Sequence, residues 1–160
     1  AYEIPKRDWS SDVCSSDLKC AGFSRGLGRQ MSHERLLGLG MDLVEIERVE
    51  ESVQKFGERF LKRIFHPAEV AYAESQARPA THLAARFAAK EAASKAFGTG
   101  IGKALPWLGM EIGRHSSGEP FLRFHAVGAD LAKTRGVTRA LVTLTHTRTH
   151  SAATVALLGP

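Results

Sequence analysis

An alanine-rich segment over residues 81–97 constrains the fold of this chain more than any other feature. Alanine has the highest helix propensity of all residues, and long runs of it are typical of helices. Pro79 before the segment and Gly98 after it are typical start and stop signals. The segment therefore predicts a long helix. Its short side chains would let a neighbouring backbone approach closely.

A second apolar run, LLGLGMDLV over residues 36–44, contains two glycines. Glycines inside such a run indicate a buried strand with close backbone neighbours. Residues 45–56 then place apolar side chains at helical spacing with a charged outer face. These apolar positions are Ile46, Val49, Val53 and Phe56. The beginning of the domain therefore predicts a strand followed by an amphipathic helix.

The remaining elements alternate irregularly. We predict a helix over 67–76, a hairpin formed by 111–114 and 120–125, a helix over 126–135, and strands over 139–147 and 152–158. The resulting order, β-α-α-α-β-β-α-β-β, lacks the regular βαβ alternation of doubly wound folds. We therefore expect a single α+β domain, with an antiparallel sheet packed on the long alanine-rich helix.

Composition narrows the function classes. The formal net charge is +5 and the sequence pI is about 9.5, which favours an anionic partner: nucleic acid, a phosphate-rich cofactor or an acidic protein. Aromatic residues are only 8% of the chain and no clustered basic stripe is present, which argues against a nucleic-acid-binding module. No apolar run is long enough to span a bilayer, and no secretory signal is recognisable, so we expect a cytoplasmic protein without a membrane partner.

Residues 1–30 differ from the rest of the chain. The stretch over 7–18 mixes serine, aspartate and cysteine without helical or strand periodicity, and it resembles a translated sequencing-adapter tract. We expect either a gene-model artefact, with Met31 as a start, or a disordered tail. Cys14 and Cys20 both lie here, so we expect no disulfide framework and no thiolate metal site in the domain, which we place at 34–160.

Two carboxylates have unusual surroundings. Asp42 ends an apolar strand, where a carboxylate needs a charge partner, hydrogen bonds or a metal; the alternative is that it caps the following helix. Glu91 lies among alanines, and the alternative there is a simple i,i+4 pair with Lys95. Two carboxylates without a histidine suit a hard cation such as Mg²⁺.

A glycine loop, GTGIG over residues 98–102, could hold phosphate through its backbone amides. It follows a helix rather than opening one, so Gly98 is equally explained as a helix C-cap. His146 and Thr147 stand near the end of a strand, where a lone histidine is most often structural. The histidines of the chain show no zinc-binding spacing.

Together these motifs resemble a known family. Gly38–Asp42, followed by RFAAKEAASKAFG over 86–98, is similar to the paired signature of the holo-[acyl carrier protein] synthases, the small phosphopantetheinyl transferases. Residues 87–95 match the family pattern position by position. The resemblance covers residues 36–158 and includes the glycine loop, the hairpin around Gly118 and the strand that ends in Thr147.

The resemblance implies the 4'-phosphopantetheinyl transferase fold. It also implies transfer of 4'-phosphopantetheine from coenzyme A to a serine of apo acyl carrier protein, in support of fatty acid biosynthesis. The products are holo acyl carrier protein and adenosine 3',5'-bisphosphate. Mg²⁺ is the implied cofactor, with Mn²⁺ as an alternative cation. The implied assembly is a homotrimer with active sites at its subunit boundaries.

The resemblance also assigns roles to residues. Asp42 and Glu91 are the implied metal ligands, and Glu91 and Lys95 the implied catalytic residues. The implied coenzyme A contacts are Lys95, Gly98, Gly100, His146 and Thr147. Arg48, on the exposed side of the first helix, is the implied contact for the acidic carrier protein. The presence of both carboxylates together with Lys95 argues against an inactive relative that only binds carrier protein.

Overall fold

The computed structural model describes residues 34–160, which form five strands, five α-helices and one short 3-10 helix. In chain order these elements are β1 (Arg35–Glu45), α1 (Ile46–Phe56), α2 (Glu58–Ile64), α3 (Pro67–Glu74), α4 (Pro79–Phe97), the 3-10 helix (Trp107–Gly109), β2 (Met110–Arg114), β3 (Pro120–Phe124), α5 (Val127–Thr134), β4 (Arg139–His146) and β5 (His150–Gly159).

The strands form two antiparallel groups. β1, β5 and β4 make a three-stranded sheet in that order, and β2 pairs with β3 as a hairpin. The predicted α+β class and the antiparallel sheet are therefore confirmed. Among the described residues, no helix is long and apolar enough to cross a membrane.

Helix α4 lies against the inner face of the three-stranded sheet. Ala88, Ala89, Ala92 and Ala93 on this helix are completely buried. Gly38 and Gly40 of β1 cross the helix so closely that an added Cβ at either glycine would overlap the carbonyl oxygen of Ala96 or Ala92, respectively. The close backbone approach expected from the glycines and alanines is thus confirmed, whereas the prediction of a buried strand is wrong for the outer face of β1, which is exposed.

The alternation of β1 places its side chains on two opposite faces of the sheet. Gly38, Gly40 and Asp42 share the inner face, whereas Leu39 and Met41 lie on the outer face and are largely exposed. The two glycines fix β1 against α4. Asp42 is the next residue on the inner face of β1, so its side chain also faces α4.

A buried ion pair joins the helical layer to the hairpin. The Lys90 ammonium lies 2.7 Å from a carboxylate oxygen of Glu69, and both side chains are at most 1% exposed. Lys90 also donates to the carbonyl oxygen of Ile64 at 2.6 Å, while Glu69 accepts from the backbone N–H of Ile112 at 3.1 Å. Burial lowers the pKa of Lys90, although the Glu69 carboxylate opposes this effect. The pair therefore fastens α3, α4 and β2 to one another.

The structure contains a short 3-10 helix, Trp107–Gly109, and one α-helix that the sequence did not predict. Glu58–Ile64 is a helix, so four α-helices precede the hairpin where the predicted order had three. This helix has only seven residues, too few for a periodicity to stand out. Its buried residue Ile64 shows that packing stabilises it. Residues 1–30, which we predicted to be a gene-model artefact or a disordered tail, lie outside the described residues.

The close β1–α4 contact predicts a large effect of Gly40→Ala. The added methyl group would overlap the Ala92 carbonyl and the Ala96 backbone N–H, and overpacking of this kind costs about 1–3 kcal/mol. We expect a clear fall of the urea midpoint. Gly102→Ala is the matched control, because its added Cβ meets no atom within 4 Å. Equal midpoints for the two variants would contradict the close packing.

Candidate active site

Asp42 lies three residues before the C-terminal end of β1, with its side chain 15% exposed. The prediction that Asp42 ends the strand is therefore wrong, because Leu43 to Glu45 still pair with β5. One of its carboxylate oxygens, Oδ1, accepts a hydrogen bond from the Lys95 ammonium at 2.7 Å. The alternative in which Asp42 caps the next helix is wrong, because the N-cap of α1 is Glu45 and no side chain caps it. Asp42 is therefore held by a residue of α4, far along the chain.

Glu91 is half-buried on the face of α4 that meets Asp42. Burial raises the pKa of Glu91 first, and the negative charge of Asp42 raises it further, while Lys95 opposes both effects. The two carboxylates are thus close enough to repel each other. A divalent cation between them would relieve this repulsion, and Mg²⁺ is commonly bound by only one or two carboxylates. The two side chains fit such an ion.

Lys95 follows Glu91 by about one helical turn and lies on the same side of α4. The hydrogen bond to Asp42 raises the pKa of Lys95, so its side chain stays a cation at neutral pH. The simple i,i+4 pair with Glu91 is not what the structure shows, because the hydrogen bond of Lys95 goes to Asp42. Three predicted site residues are therefore in one group.

A cleft of about 610 Å³ opens beside Asp42 and Glu91. Arg48 of α1 and His150 of β5 line it together with both carboxylates, and Phe60 and Phe87 contribute aromatic walls. Arg48 is exposed, as its place off the apolar stripe of α1 predicted. The cleft can therefore bring an external molecule to the carboxylates.

Gly98 and Gly100 lie just beyond Lys95, at the C-terminal end of α4. Both have positive φ, 70° and 64°, which favours glycine. Gly98 is the left-handed C-cap of α4, and its N–H bonds the carbonyl oxygen of Lys95 at 3.0 Å. The cap interpretation of Gly98 is thus confirmed. Both predicted coenzyme contacts in this loop lie near Lys95.

His146 and Thr147 lie at the opposite end of α4. The ring of His146 is 6.3 Å from that of His82, in the first turns of the helix. Residues 82–98 of a helix extend over about 24 Å, so His146 is far from Gly98. The hydroxyl of Thr147 accepts from the backbone N–H of His150 at 3.1 Å, inside the β4–β5 turn. A single chain does not bring these two residues to Lys95.

A basic cluster beside His146 was not among the predicted site residues. Arg86 is only 3% exposed, and its Nε has no acceptor among residues 34–160. Its guanidinium lies 4.3 Å from the centre of the Tyr72 ring, and that of Arg114 lies 5.5 Å from the same ring. Burial lowers the pKa of His82, and Arg86, His146 and Arg114 lower it further. Arg86 Nη1 donates to the carbonyl oxygen of His82 at 3.1 Å, and the charge of Glu69 opposes the lowering of the Arg86 pKa by burial. Nε is thus the donor of Arg86 that could still pair with an anion.

Helical spacing could have separated these groups in the sequence. Arg86 and Lys90 are four residues apart and share one side of α4, whereas Glu91 and Lys95 share another. Both members of the first pair are buried, at 3% and 0% exposure. The structure therefore assigns Lys90 to the core, where it is paired with Glu69.

Comparison with known proteins identifies the class. Residues 38–155 match the family model described as the 4'-phosphopantetheinyl transferase superfamily. Because this match covers most of the chain, the protein belongs to the 4'-phosphopantetheinyl transferase superfamily. The resemblance inferred from the paired signature is confirmed.

The similar proteins share a narrower name. The holo-[acyl-carrier-protein] synthase of Koribacter versatilis is 45% identical over 122 residues, which cover 76% of this chain and 98% of the relative. The crystal structure of the Neisseria meningitidis synthase matches with a TM-score of 0.72 and 31% identity, over 77% of this chain and 98% of that one. The Helicobacter pylori synthase in complex with coenzyme A matches with a TM-score of 0.68 and 28% identity, over 74% and 98%.

Proposed function

We propose that this chain transfers the 4'-phosphopantetheine group of coenzyme A to a serine of apo acyl carrier protein. The products are holo carrier protein for fatty acid biosynthesis and adenosine 3',5'-bisphosphate. The observation that carries the proposal is the convergence of Asp42, Glu91 and Lys95 in a member of this family. Residues 34–160 form the proposed transferase domain, and the cytoplasm is its proposed location.

Asp42 and Glu91 are the proposed ligands of Mg²⁺, with Mn²⁺ as an alternative. When bound there, the cation would neutralise negative charge on the pyrophosphate of coenzyme A as the phosphoanhydride bond breaks. Asp42 fits this role because it is mostly buried and held on a rigid strand. Glu91 fits because its carboxylate shares the cleft and is already under repulsion from Asp42.

Glu91 and Lys95 divide the remaining chemistry. The serine hydroxyl of the carrier protein is a weak nucleophile at neutral pH and must lose its proton. Glu91 is the proposed acceptor, directly or through a water that it orients, because its carboxylate lines the cleft beside Asp42. The Lys95 ammonium is the proposed contact for the leaving phosphate, whose negative charge grows during transfer.

Mass spectrometry of apo carrier protein tests the reaction and both carboxylates. Incubation with coenzyme A, Mg²⁺ and this enzyme should add one phosphopantetheine to the carrier protein. We expect Asp42→Ala and Glu91→Ala each to lower the transfer rate by about 100-fold or more. Asp130→Ala, at an exposed carboxylate on α5, is the matched control. Near wild-type rates in either site variant, shown folded by circular dichroism, would refute the metal assignment.

The carrier protein is proposed to dock beside the cleft at Arg48. A second groove of about 500 Å³ adjoins the cleft across Phe60 and presents Arg59 and Arg63 of α2. An acidic partner would meet positive charge here, and complementary charge mainly speeds encounter. We therefore place the carrier protein along the cleft and this basic groove.

Arg48→Glu should raise the KM for carrier protein several-fold with little change in the KM for coenzyme A. The substitution replaces attraction by repulsion, and added salt should weaken the wild-type interaction through screening. Lys133→Glu on α5, which changes the charge equally at another exposed site, should change neither KM. Equal effects of Arg48→Glu on both KM values would indicate a folding or assembly defect instead.

The proposed assembly is a homotrimer whose subunits meet through the outer face of the three-stranded sheet. Leu39, Met41 and Leu43 of β1 are 60–61% exposed on that face, and Leu141 of β4 is 47% exposed. A continuous apolar sheet face of this kind is typical of an interaction surface. We propose that this apolar face binds further copies of the same chain.

A boundary between subunits would also explain the divided set of coenzyme contacts. Lys95 and the glycine loop of one subunit could then face His146 and Thr147 of another. The cluster of His82, Arg86 and Arg114 supports this proposal, since the buried Arg86 and the exposed Arg114 both offer a phosphate positive charge. We propose that this cluster takes a phosphate group of coenzyme A.

Met41→Lys should dissociate the assembly, because it puts a charge at the centre of the apolar face. Sedimentation velocity is expected to show a trimer for the wild type and monomers for this variant, with loss of coenzyme A binding. Val127→Lys, at an exposed apolar residue on α5, is the control and should remain trimeric. A monomeric, fully active wild type would refute the shared site.

A further inference from the structure

The carboxylate proposed to bind a metal is already paired with a cation of the chain itself. Lys95 Nζ lies 2.7 Å from Asp42 Oδ1. Within residues 34–160, no other basic side chain lies within 4 Å of this carboxylate. Glu91, one turn before Lys95 on α4, adds a second negative charge to the site. The Lys95 ammonium therefore lies where it offsets the negative charges of Asp42 and Glu91.

The side chains of Asp42 and Lys95 differ in how freely they can move. Asp42 is only 15% exposed on a strand whose backbone is pressed against α4, whereas the Lys95 side chain is 51% exposed. Lysine carries its charge on a flexible four-carbon stem, and the glycine loop leaves open space beyond it. If the pair separates, Lys95 is the residue that moves.

We propose that Lys95 is the counter-ion of the metal ligands in the metal-free chain and that it leaves Asp42 when a divalent cation binds there. This inference rests on the proposed metal-dependent transfer. The ammonium and the cation would compete for the same carboxylate group, and two positive charges held a few ångströms apart on it would repel each other. Lys95 is thereby released toward the phosphate that it is proposed to contact.

The exchange couples the two binding events. Lys95 reaches for phosphate only after Asp42 has another positive partner, so cation and phosphate each favour the arrangement that the other needs. In the metal-free chain, the Lys95 ammonium partly offsets the negative charge of Asp42 and Glu91.

The first test measures Mn²⁺ binding without coenzyme A, by electron paramagnetic resonance of the free ion. Lys95→Met should bind Mn²⁺ several-fold more tightly than the wild type, because the competing ammonium is gone. Lys103→Met is the matched control: it removes one charge from an exposed residue of the adjoining loop and should leave the affinity unchanged. Equal affinities for the wild type and Lys95→Met, or weaker binding by Lys95→Met, would overturn the inference.

The second test observes the exchange directly in the wild type. Proton–nitrogen correlation spectra of the lysine ammonium groups should show the Lys95 signal shifting as Mg²⁺ is added, with the same midpoint as Mg²⁺ binding. A Lys95 signal that stays in place at saturating Mg²⁺ would also overturn the inference.

The outcomes separate this inference from the proposed function. A wild type that transfers phosphopantetheine but fails either test keeps its function and loses the exchange. A wild type that binds no Mn²⁺ loses both the metal site and the exchange. Passing both tests without transfer of phosphopantetheine would support the exchange and refute the proposed reaction.

Discussion

The close contact between the backbones of β1 and α4 is the constraint on which the site depends. Gly38 and Gly40 have no side chain, and the facing surface of α4 carries alanines, so strand and helix meet almost without intervening atoms. Side chains and backbone packed this closely have little room to move, so a small change in side-chain volume alters stability. The contact therefore fixes Asp42 beside Glu91 and Lys95, although these residues come from distant parts of the sequence.

Helix α4 separates two kinds of charge on its different sides. The side with Lys90 is sealed, and the ammonium there is paired with Glu69 and bound by backbone carbonyl oxygens. Breaking such a buried pair typically costs about 3–5 kcal/mol, which makes it part of the framework. The side with Lys95 is open to the cleft. The same type of side chain thus serves structure on one face and chemistry on the other.

The proposed coenzyme contacts lie at both ends of this helix. Gly98 and Lys95 are at its C-terminal end, whereas His146 lies beside its first turns and the buried Arg86 lies in its N-terminal half. The apolar outer face of the sheet offers a physical reason for this division. If subunits meet there, one subunit can contribute each end, and no single small domain has to surround a large coenzyme.

The sequence by itself determined the class of the fold and the two-part signature formed by residues 38–42 and 86–98. Alanine content and glycine spacing are local properties, so the long helix and the close strand could be predicted from them, whereas the roles of Asp42, Glu91 and Lys95 came from the resemblance of the paired signature. Only the tertiary structure decided which charges meet. Lys90 and Arg86 lie one and five residues before Glu91 in the sequence but face other parts of the fold, because a helix turns by about 100° per residue. Their burial, and the partner that each one finds, depend on elements far along the chain.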